Sequence, residues 1–552
     1  MEQQRPLLYL MLAFITFMIW SAWQERHAPP PVNTATASQS SLPAGKSNQS
    51  DVPQTQNLPA APANSGVSHA NAVTGKNIRV KTDVLDLQIS LTGGTILQAD
   101  LLTYPVSLEE PNHPVRVLDR RKQYAAQSGL VTGDGNSDRA PNHYAVFSAP
   151  QSEFVLGDSD VLKVPLTWVG ADGLSVTKTF TFKRGEFLVD VTQTINNTSG
   201  ETWEGSEYHQ LTHGTYEREG MGLTAVSFVG GAYWDDKYVK VALDDIQDSN
   251  LAQPIKGGWT AMLEHYFISA WIPGPEAENH YYTKFIKETN NHILGVSSPW
   301  LTVPDGKAGT FKSQFYVGPK IQENLEKMSP GLDLTVDYGI FSFVSKPIFW
   351  MMSKIHSVVS NWGWTIIIMT ILIKILFFYP SAISYRSMAK MKKLGPKIKE
   401  INEKYKNDPQ AKQKATMDFY RKEKINPLGG CLPILIQMPV FMGLYWVLLE
   451  SVELRQAPWI LWFHDLSVKD PRFVLPILMG LSMYIQQRLN PPQVADPMQQ
   501  KIFQFLPVIF TAMFLLFPAG LVLYWVVNNV LSIAQQYVIT KKIVGDTAPV
   551  LS

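Results

Sequence analysis

The stretch Trp364–Tyr379, WTIIIMTILIKILFFY, contains one charged side chain, Lys374, in an otherwise apolar run. A charge at the centre of a membrane span costs about 2.5–3.5 kcal/mol on insertion scales, so such a lysine needs a polar partner or water. Lys374 lies only five residues before Tyr379. Its ammonium could therefore snorkel to the headgroups across roughly 7.5 Å of helix rise. By itself this stretch supports a functional cation and a snorkelling anchor equally.

Four further apolar stretches predict that the C-terminal part of the chain is a bundle of membrane helices. They are Leu428–Leu449, Phe473–Ile485, Ile502–Leu516 and Leu521–Ile539. Pro518 and Gly520 divide the last two into a hairpin. Three of the five spans have only about 13–16 residues and would need a thinned bilayer or interfacial anchoring. Upstream, residues 338–357 carry apolar side chains at helical spacing beside two lysines, which predicts an amphipathic helix at the interface.

The N-terminal half predicts an anchor, a tether and a β-sandwich. Leu7–Trp23 is almost entirely apolar, and the small residues of a cleavage site come only after Glu25 and Arg26, which favours a retained anchor over a signal peptide. Residues 28–76 lack Phe, Trp and Tyr and are rich in Pro, Ala and Ser, so they cannot bury a core. From 77 to 331 apolar and polar residues alternate, as in a large sandwich of strands.

Local charge predicts the membrane topology, which the formal net charge of +1 for the whole chain conceals. Ser384–Pro427 carries 13 lysines and arginines against five acids, which by the positive-inside rule places it in the cytoplasm. Counting spans from there places the N-terminus, the 490–501 loop and the C-terminal tail inside. The sandwich and the 451–472 loop then lie outside.

Inside this basic segment, two amphipathic helical patterns flank Asn407-Asp408-Pro409 and predict a helical hairpin. Its cations could meet anionic lipid or ribosomal RNA. A solvated hairpin without a docking role is an equally open reading. The hairpin cations singled out as candidates are Lys392, Lys393, Lys397 and Lys399.

The residue content and the motifs of the chain exclude several kinds of chemical site. Cys431 is the single cysteine, which excludes an intrachain disulfide and a cysteine-rich metal site. The sequence carries neither a phosphate-binding glycine-rich loop nor a hydrolase signature. We therefore expect no cofactor, no metal, no catalytic residues and no enzymatic reaction.

Polar residues in several spans favour a functional role for Lys374. Polar groups at this depth normally face protein or a wet cavity rather than lipid, although each one alone could serve interhelical hydrogen bonding. Three of them, at positions 524, 528 and 532, share one helix face by their four-residue spacing. Together they suggest a hydrated groove with one fixed cation. The polar set is Thr370, Gln437, Thr511, Tyr524, Asn528 and Ser532.

Long motifs resemble one known family, the YidC/Oxa/Alb membrane protein insertases, in the Gram-negative form with a large periplasmic domain. The resemblance covers about 337–540 densely, whereas the N-terminal parts match in order and character. The matching runs are Asn426–Pro433 (NPLGGCLP), Gln437–Pro439 (QMP), Ser451–Pro458 (SVELRQAP), His464–Leu466 (HDL), Asp496–Gln500 (DPMQQ) and Phe517–Tyr524 (FPAGLVLY).

The resemblance implies a five-helix core around a groove, an additional N-terminal span and a periplasmic β-supersandwich related to sugar-binding folds. Lys374 matches the position of the family's groove cation. The familiar members of the family resemble one another in having arginine there. Lysine keeps the positive charge but lacks the guanidinium group that makes bidentate hydrogen bonds. Thr370 and Tyr524 match groove and substrate-contact positions. Trp525 stands where tyrosine is expected, which keeps an aromatic contact without a hydroxyl.

The resemblance also implies a function, partners and a location. We expect an insertase and chaperone for nascent integral membrane proteins in the inner membrane of a Gram-negative bacterium, acting alone or with the Sec translocon and its accessory subunits. Ribosomes and membrane lipids are further expected partners, and DNA is not. The implied parts are an anchor (1–27), a linker (28–76), the sandwich (77–335), an interfacial helix (336–362), the second transmembrane helix (363–383), the basic hairpin (384–427), four further transmembrane helices (428–542) and a tail (543–552).

Two rival functions remain open at this point. A small-molecule or ion transporter would also place a charge in the membrane, but no inverted repeat or paired broken helix is evident. A carbohydrate enzyme in the outer domain could use His209, His213 and Glu217. Four-residue histidine spacing suits a metal only on a helix, whereas this region reads as strand and loop.

Overall fold

The computed structural model describes residues 51–53, 77–133, 135–136, 138–170, 172–214, 228–248, 250–405, 408–423, 432–489 and 497–544. Several expectations fall outside these ranges: the anchor at 1–27, all of the linker except 51–53, Glu217, Cys431, the 490–496 part of the cytoplasmic loop, and the end of the tail from 545.

The described residues between 77 and 319 lie mostly in strands, as their alternating pattern predicts. The strands are β1 (Asn77–Lys81), β2 (Leu85–Ser90), β3 (Ile96–Pro105), β4 (Pro114–Asp119), β5 (Ala125–Thr132), β6 (Glu153–Val155), β7 (Val161–Val169), β8 (Leu174–Lys183), β9 (Leu188–Asn197), β10 (Trp203–Gly214), β11 (Gly230–Trp234), β12 (Tyr238–Val241), β13 (Ala252–Lys256), β14 (Thr260–Leu263), β15 (Phe267–Ile272), β16 (Glu278–Ile286), β17 (Asn291–Ser297), β18 (Leu301–Val303) and β19 (Lys307–Pro319).

These strands form two sheets. Across the described ranges the first has eleven strands, in the order β13-β16-β17-β10-β5-β3-β2-β1-β6 with β18 beside β10 and β4 beside β3. The second has eight, in the order β12-β11-β14-β15-β19-β9-β8-β7. Pairing is antiparallel except between β1 and β6. The many connections between distant strands make this a fold of long-range contacts.

The core of the sandwich lies between the sheets and confirms the period-two prediction. Leu85, Leu87 and Ile89 of β2 are fully buried, and they join Phe180 and Val189 from the second sheet in one apolar cluster. Alternate side chains of a strand point to opposite faces, so one face of each strand supplies this cluster. The β8–β9 turn, predicted at residues 184–185, is present with Gly185 at a φ of 74°.

Lys178 on β8 extends its fully buried side chain across this core. Its amino group donates hydrogen bonds to the carbonyls of Gly93 (2.7 Å) and Ser128 (2.9 Å) and to the Ser128 hydroxyl (3.0 Å), both in the first-sheet half of the sandwich. Burial lowers the pKa of Lys178 to about 7, because the charged form loses its water. The lysine thus fastens the two sheets to each other through polar contacts.

Helices dominate the chain after β19. They follow a short α1 (Leu243–Asp248) within the sandwich and are α2 (Gln322–Met328), α3 (Ser342–Val359), α4 (Trp362–Leu376), α5 (Phe378–Lys393), α6 (Gly395–Lys404), α7 (Pro409–Lys422), α8 (Leu432–Glu450), α9 (Val474–Leu489), α10 (Pro497–Phe514) and α11 (Ala519–Val544). Short 3-10 turns lie at Leu332–Thr335, Gly339–Phe341 and Val452–Leu454.

Two helix ends have clear causes in the sequence. The predicted span Trp364–Tyr379 is cut short, since α4 ends at Leu376. Pro380 has no N–H to donate, and its ring clashes with the carbonyl four residues earlier, that of Leu376, so the helix cannot continue straight. The start of α7 follows the prediction, because the Asp408 carboxylate accepts the N–H groups of residues 410 and 411.

The helical region has an apolar core of its own, and α3 lies against it. Ile348 and Met352 of α3 are buried, while Phe343 and Trp350 on its other face are exposed. This is the two-sided distribution that the amphipathic pattern predicts. Its Ser345 hydroxyl donates to the carbonyl of Gly443 in α8 (3.0 Å), which fixes the two helices together.

The outer surface of the helices is apolar over a wide area. Within the described part of the chain, no single helix has both the length and the apolarity to cross a membrane; α4 and α5 meet that condition only as a pair bent by 68°. Exposed apolar surface on this scale is typical of contact with lipid or protein. Examples are Ile375, Leu376, Ile477, Leu481, Val508 and Val530.

The sandwich contacts the end of α8 and the segment that follows it. Arg455 donates to the carbonyl of Pro105 (2.7 Å), and His265 Nε2 lies 2.8 Å from the carbonyl of Leu449. In the connection between the two parts, the hydroxyls of Tyr338 and Ser451 are 3.0 Å apart. Burial lowers the pKa of His265 to about 4, so its ring is neutral at physiological pH. The domain is therefore joined to the helical region by hydrogen bonds, beyond the covalent connection at residues 320–341.

Candidate functional site

The candidate site is a network of polar side chains inside the helical region, with Lys374 at one end. Lys374 lies near the end of α4, and its ammonium donates to the Ser532 hydroxyl of α11 (2.7 Å). Ser532 is buried and donates in turn to the carbonyl of Asn528, one turn earlier (2.7 Å). The cation therefore has a polar partner on another helix rather than a path to the surface alone.

The network continues along one face of α11. Tyr524 and Asn528 are buried there, and the Gln437 side-chain amide of α8 contacts both, donating to the Tyr524 hydroxyl (3.3 Å) and to the Asn528 side-chain oxygen. The four-residue spacing of 524, 528 and 532 thus does place them on one face. Three helices, α4, α8 and α11, supply five of the eight predicted groove residues to one connected set.

Two threonines of the predicted set lie apart from this network. Thr370 is buried, and its hydroxyl donates to the carbonyl of Ile366 in its own helix (2.6 Å). Thr511 does the same toward Pro507 in α10 (2.7 Å). A threonine in a helix can satisfy its hydroxyl on the carbonyl four residues earlier, and so it does not need a partner across the bundle.

Trp525 packs in an aromatic cluster. Its ring meets Phe441 edge to face with 4.7 Å between centroids, and Phe514 lies 5.4 Å away. Its indole N–H is buried and has no hydrogen-bond partner within the described ranges. The side chain here serves packing between α8, α10 and α11.

Reasoning from sequence missed a polar contact between α11 and α9. Asn529 of α11 is buried and donates to the Ser482 hydroxyl of α9 (2.9 Å). The signal was present, since both residues are polar and lie inside predicted spans. They fall outside the Tyr524 face, however, and the four-residue spacing drew attention only to that face.

The basic hairpin candidates lie at the end of α5 and in α6. Lys393 and Lys397 have exposed side chains, whereas the side chains of Lys392 and Lys399 lie outside the described set. Like charges on short helices repel one another unless counter-ions or an anionic surface are near. Because their side chains are exposed, Lys393 and Lys397 are accessible to such a surface.

The two described residues of the rival carbohydrate-enzyme site, His213 and His209, make separate contacts in the sandwich. His213 is buried against Tyr124 and its Nδ1 lies 2.6 Å from the Gly214 carbonyl, while burial lowers its pKa. His209 lies 3.0 Å from the Glu207 carboxylate. Among the described residues there is no group of three or more His, Cys, Asp or Glu side chains placed to hold a metal ion.

A large sandwich joined to a helical bundle with an apolar exterior and an internal polar network around one lysine defines a membrane-embedded protein with a sizeable domain outside the bilayer. Comparison with known families gives the particular class. The YidC periplasmic domain family matches residues 77–351, and the 60Kd inner membrane protein family matches residues 354–546. The chain belongs to the YidC family of membrane protein insertases and is therefore a protein of the inner membrane.

Individual relatives match along their whole length. The chain is 49% identical to the membrane protein insertase YidC of Thioalkalivibrio sulfidiphilus, over 98% of this chain and 99% of that one. It is 46% identical to that of Methylococcus capsulatus, over 99% and 100%. Among solved structures, a crystal structure of an active YidC insertase with its first transmembrane domain resolved covers 84% of this chain and 93% of its own, at 17% identity and a TM-score of 0.38.

Proposed function

We propose that this chain inserts nascent membrane proteins by receiving their polar tails at the Lys374 network while their apolar helices pass into lipid. The observation that carries the proposal is the contact between Lys374 and Ser532, 2.7 Å long, inside a set of polar side chains from three helices. An apolar bundle has no structural need for a cation there, since burying a charge costs free energy that packing alone would avoid.

The proposed topology follows from charge. The basic hairpin of α5–α7 lies in the cytoplasm, the sandwich lies in the periplasm, and the C-terminal tail with Lys541 and Lys542 is cytoplasmic. The exposed apolar side chains of α4, α9 and α10 then face lipid. The bundle is multi-pass, and an incoming tail meets the network from the cytoplasmic side.

The mechanism needs only electrostatics and partitioning. A groove that reaches partway across shortens the dry path for a polar tail. Lys374 attracts an acidic or polar tail transiently, and each negative charge that then moves outward gains about 2.3 kcal/mol per 100 mV across an inside-negative membrane. The apolar segment leaves sideways into lipid, so no nucleotide is consumed by this chain.

Partners follow from the same surfaces. The Sec translocon and its accessory subunits would hand over segments that have already entered the membrane, and the ribosome and anionic lipids would meet the exposed cations of the hairpin. A transporter is the alternative function, and it predicts solute flux through proteoliposomes that contain only this chain.

The test varies the charge at position 374 against the charge of the substrate tail. Lys374→Arg keeps the cation and should retain most insertion. Lys374→Leu should slow insertion of acidic-tail substrates, and Lys374→Glu should slow it most, because it repels them. Matched substrates with short neutral tails should be affected less. The measurement is outward exposure of each tail in cells with equal, stable amounts of each variant.

Ser532→Ala is the matched control, since it removes the hydrogen bond to Lys374 and keeps the charge. It should lower insertion of both substrate classes by a similar, small factor. If Lys374→Leu inserts acidic and neutral tails at the parental rate, the lysine is an anchor and the mechanism fails. If Ser532→Ala reproduces the tail-charge dependence of Lys374→Leu, the role of Lys374 is structural.

A further inference from the structure

A cleft opens between the two sheets of the sandwich, far along the chain from the helical network. It has a volume of about 210 Å³ and is lined by β10, β17, β18 and β19 and by the turn between β15 and β16. Typical ligand pockets hold roughly 300–1,000 Å³, so this cleft suits a ligand of about one ring. Nothing in the proposed insertion mechanism uses it.

A carboxylate and an imidazole side chain line the interior of the cleft. Glu207 and His209 alternate along β10 and therefore share one face. Both side chains are 3% exposed, and the His209 Nε2 lies 3.0 Å from a Glu207 carboxylate oxygen. The other carboxylate oxygen accepts a hydrogen bond from the Gln193 side-chain amide of β9 (2.7 Å). The carboxylate is thus held in a fixed orientation from the opposite sheet.

His209 is held in place but left unsatisfied. Its ring stacks on Trp271 with 4.4 Å between centroids. Its Nδ1 has no hydrogen-bond partner within the described ranges, and the Nε2 contact with Glu207 lacks the geometry of a hydrogen bond. Buried polar atoms are nearly always satisfied, and leaving one unsatisfied destabilises the fold. A ligand hydroxyl in the cleft would remove that destabilisation.

The mouth of the cleft carries an aromatic surface. Trp300 lines it and is 42% exposed, which is unusual for a tryptophan in a well-packed sandwich. Pro299 and Leu301 extend this apolar wall, and Lys312 and Asn279 add amino and amide groups nearby. The cleft therefore combines a flat apolar platform outside with hydrogen-bonding groups inside.

We propose that this cleft binds one neutral sugar ring, stacked on Trp300 and hydrogen-bonded through its hydroxyls to Glu207 and His209. A pyranose has an apolar face of C–H groups and an equator of hydroxyls, and these match the two halves of the cleft. Each hydroxyl both donates and accepts, so one hydroxyl can donate to the carboxylate while another meets the free imidazole nitrogen.

Charged ligands fit less well. A cationic ligand would meet the amino group of Lys312, which lines the same cleft. An anion would meet the buried Glu207 carboxylate at close range, and like charges at that distance repel strongly in a medium of low dielectric. The neutral, hydroxyl-rich ligand is the one that uses the existing groups without displacing them.

The test uses the full chain in nanodiscs of phosphatidylethanolamine and phosphatidylglycerol, since detergents with sugar headgroups would compete for the cleft. Saturation-transfer NMR is recorded with methyl glucoside, methyl galactoside and N-acetylglucosamine. At least one should receive saturation from the protein and show saturable binding. Trp300→Ala should weaken that binding about tenfold, the scale expected for an aromatic stacking contact. Glu207→Gln should weaken it by a similar factor.

Trp350→Ala is the matched control, because that tryptophan is also exposed but lies in α3. It should leave sugar binding unchanged. Trp300 is at the surface, so its variant keeps the fold even if Glu207→Gln proves unstable. Absence of binding for all three sugars, or binding that survives Trp300→Ala, overturns the proposal. Binding of inorganic phosphate or lysine methyl ester in place of the sugars overturns it as well.

Discussion

Gly480 of α9 lies close against Thr511 of α10, and replacing it tests the packing role of Thr511. A Cβ at Gly480 would lie 2.0 Å from the Thr511 hydroxyl oxygen and 3.2 Å from its Cβ. The hydroxyl is held by its hydrogen bond to the Pro507 carbonyl (2.7 Å), so it cannot turn away without losing that bond. Gly480→Ala must either break the bond or separate the helices.

The expected cost is that of overpacking, about 1–3 kcal/mol, partly offset by the gain of about 1 kcal/mol when alanine replaces glycine in a helix. A double-mutant cycle separates these two effects. Thr511→Ala removes the clashing oxygen, so the double variant keeps the alanine gain and loses the clash. The coupling free energy between the two sites should therefore be about 1–3 kcal/mol.

The measurement is unfolding of the full chain by SDS from nonionic micelles, followed by helical circular dichroism. Gly395→Ala is the control, because a Cβ there meets nothing within 4 Å. Thr511→Ala alone should also keep the parental insertion rate, since its hydroxyl lies outside the Lys374 network. If the two substitutions act additively, within about 0.5 kcal/mol, the close approach of the helices has been misread.

Three further outcomes are expected. Neutralising the four hairpin lysines Lys392, Lys393, Lys397 and Lys399 together should weaken ribosome co-sedimentation, most at low salt; unchanged co-sedimentation would favour a purely structural hairpin. Deleting most of 77–325 should leave substantial insertion, because the polar network lies wholly beyond Asp337; complete loss in a stable, correctly placed deletion would contradict this. The free energy of unfolding should rise between about pH 7 and pH 10. Burial lowers the pKa of Lys178 to about 7, so across that range Lys178 binds a proton in the unfolded chain but not in the folded chain. Chemical denaturation across this pH range should give a smaller slope for Lys178→Met, and an unchanged slope would show that Lys178 does not titrate there.

The sandwich core was predictable because its strands obey one rule along their length. Leu85, Leu87 and Ile89 alternate with polar residues, and all three are buried as that alternation requires. The order of the strands was not predictable, since β10 pairs with β5 and β17, which are distant in sequence. Local pattern fixes which face of a strand is buried, but it carries no information about which strand lies beside it.

Among the polar residues of the bundle, too, some features could be predicted from the sequence and others could not. Tyr524, Asn528 and Ser532 were predictable as a set, because helical spacing alone puts them on one face. Thr370 was expected beside Lys374, but its hydroxyl bonds to its own helix at the carbonyl of Ile366. Residue type shows that a hydroxyl exists at a given depth; it does not show whether the backbone has already satisfied it.

The contacts between the sandwich and the helical region could not have been predicted from side-chain patterns. Arg455 binds the carbonyls of residues 105 and 106, and His265 meets that of Leu449. Every residue has a main-chain carbonyl, so such an acceptor leaves no mark in the sequence. Only the donor residues are visible there, and an arginine in a loop has many possible partners.

The hydrogen bonds of the network bear on the role proposed for Lys374. Along α11, the Ser532 hydroxyl donates to the Asn528 carbonyl, and the Asn528 side-chain oxygen accepts a hydrogen bond from Gln437. Lys374 has three N–H donors and makes one hydrogen bond, to Ser532, within the described ranges. Its remaining donors can bind a tail oxygen without breaking the network. In the proposed mechanism a tail would meet a single attractive cation there, which favours brief binding and release over retention.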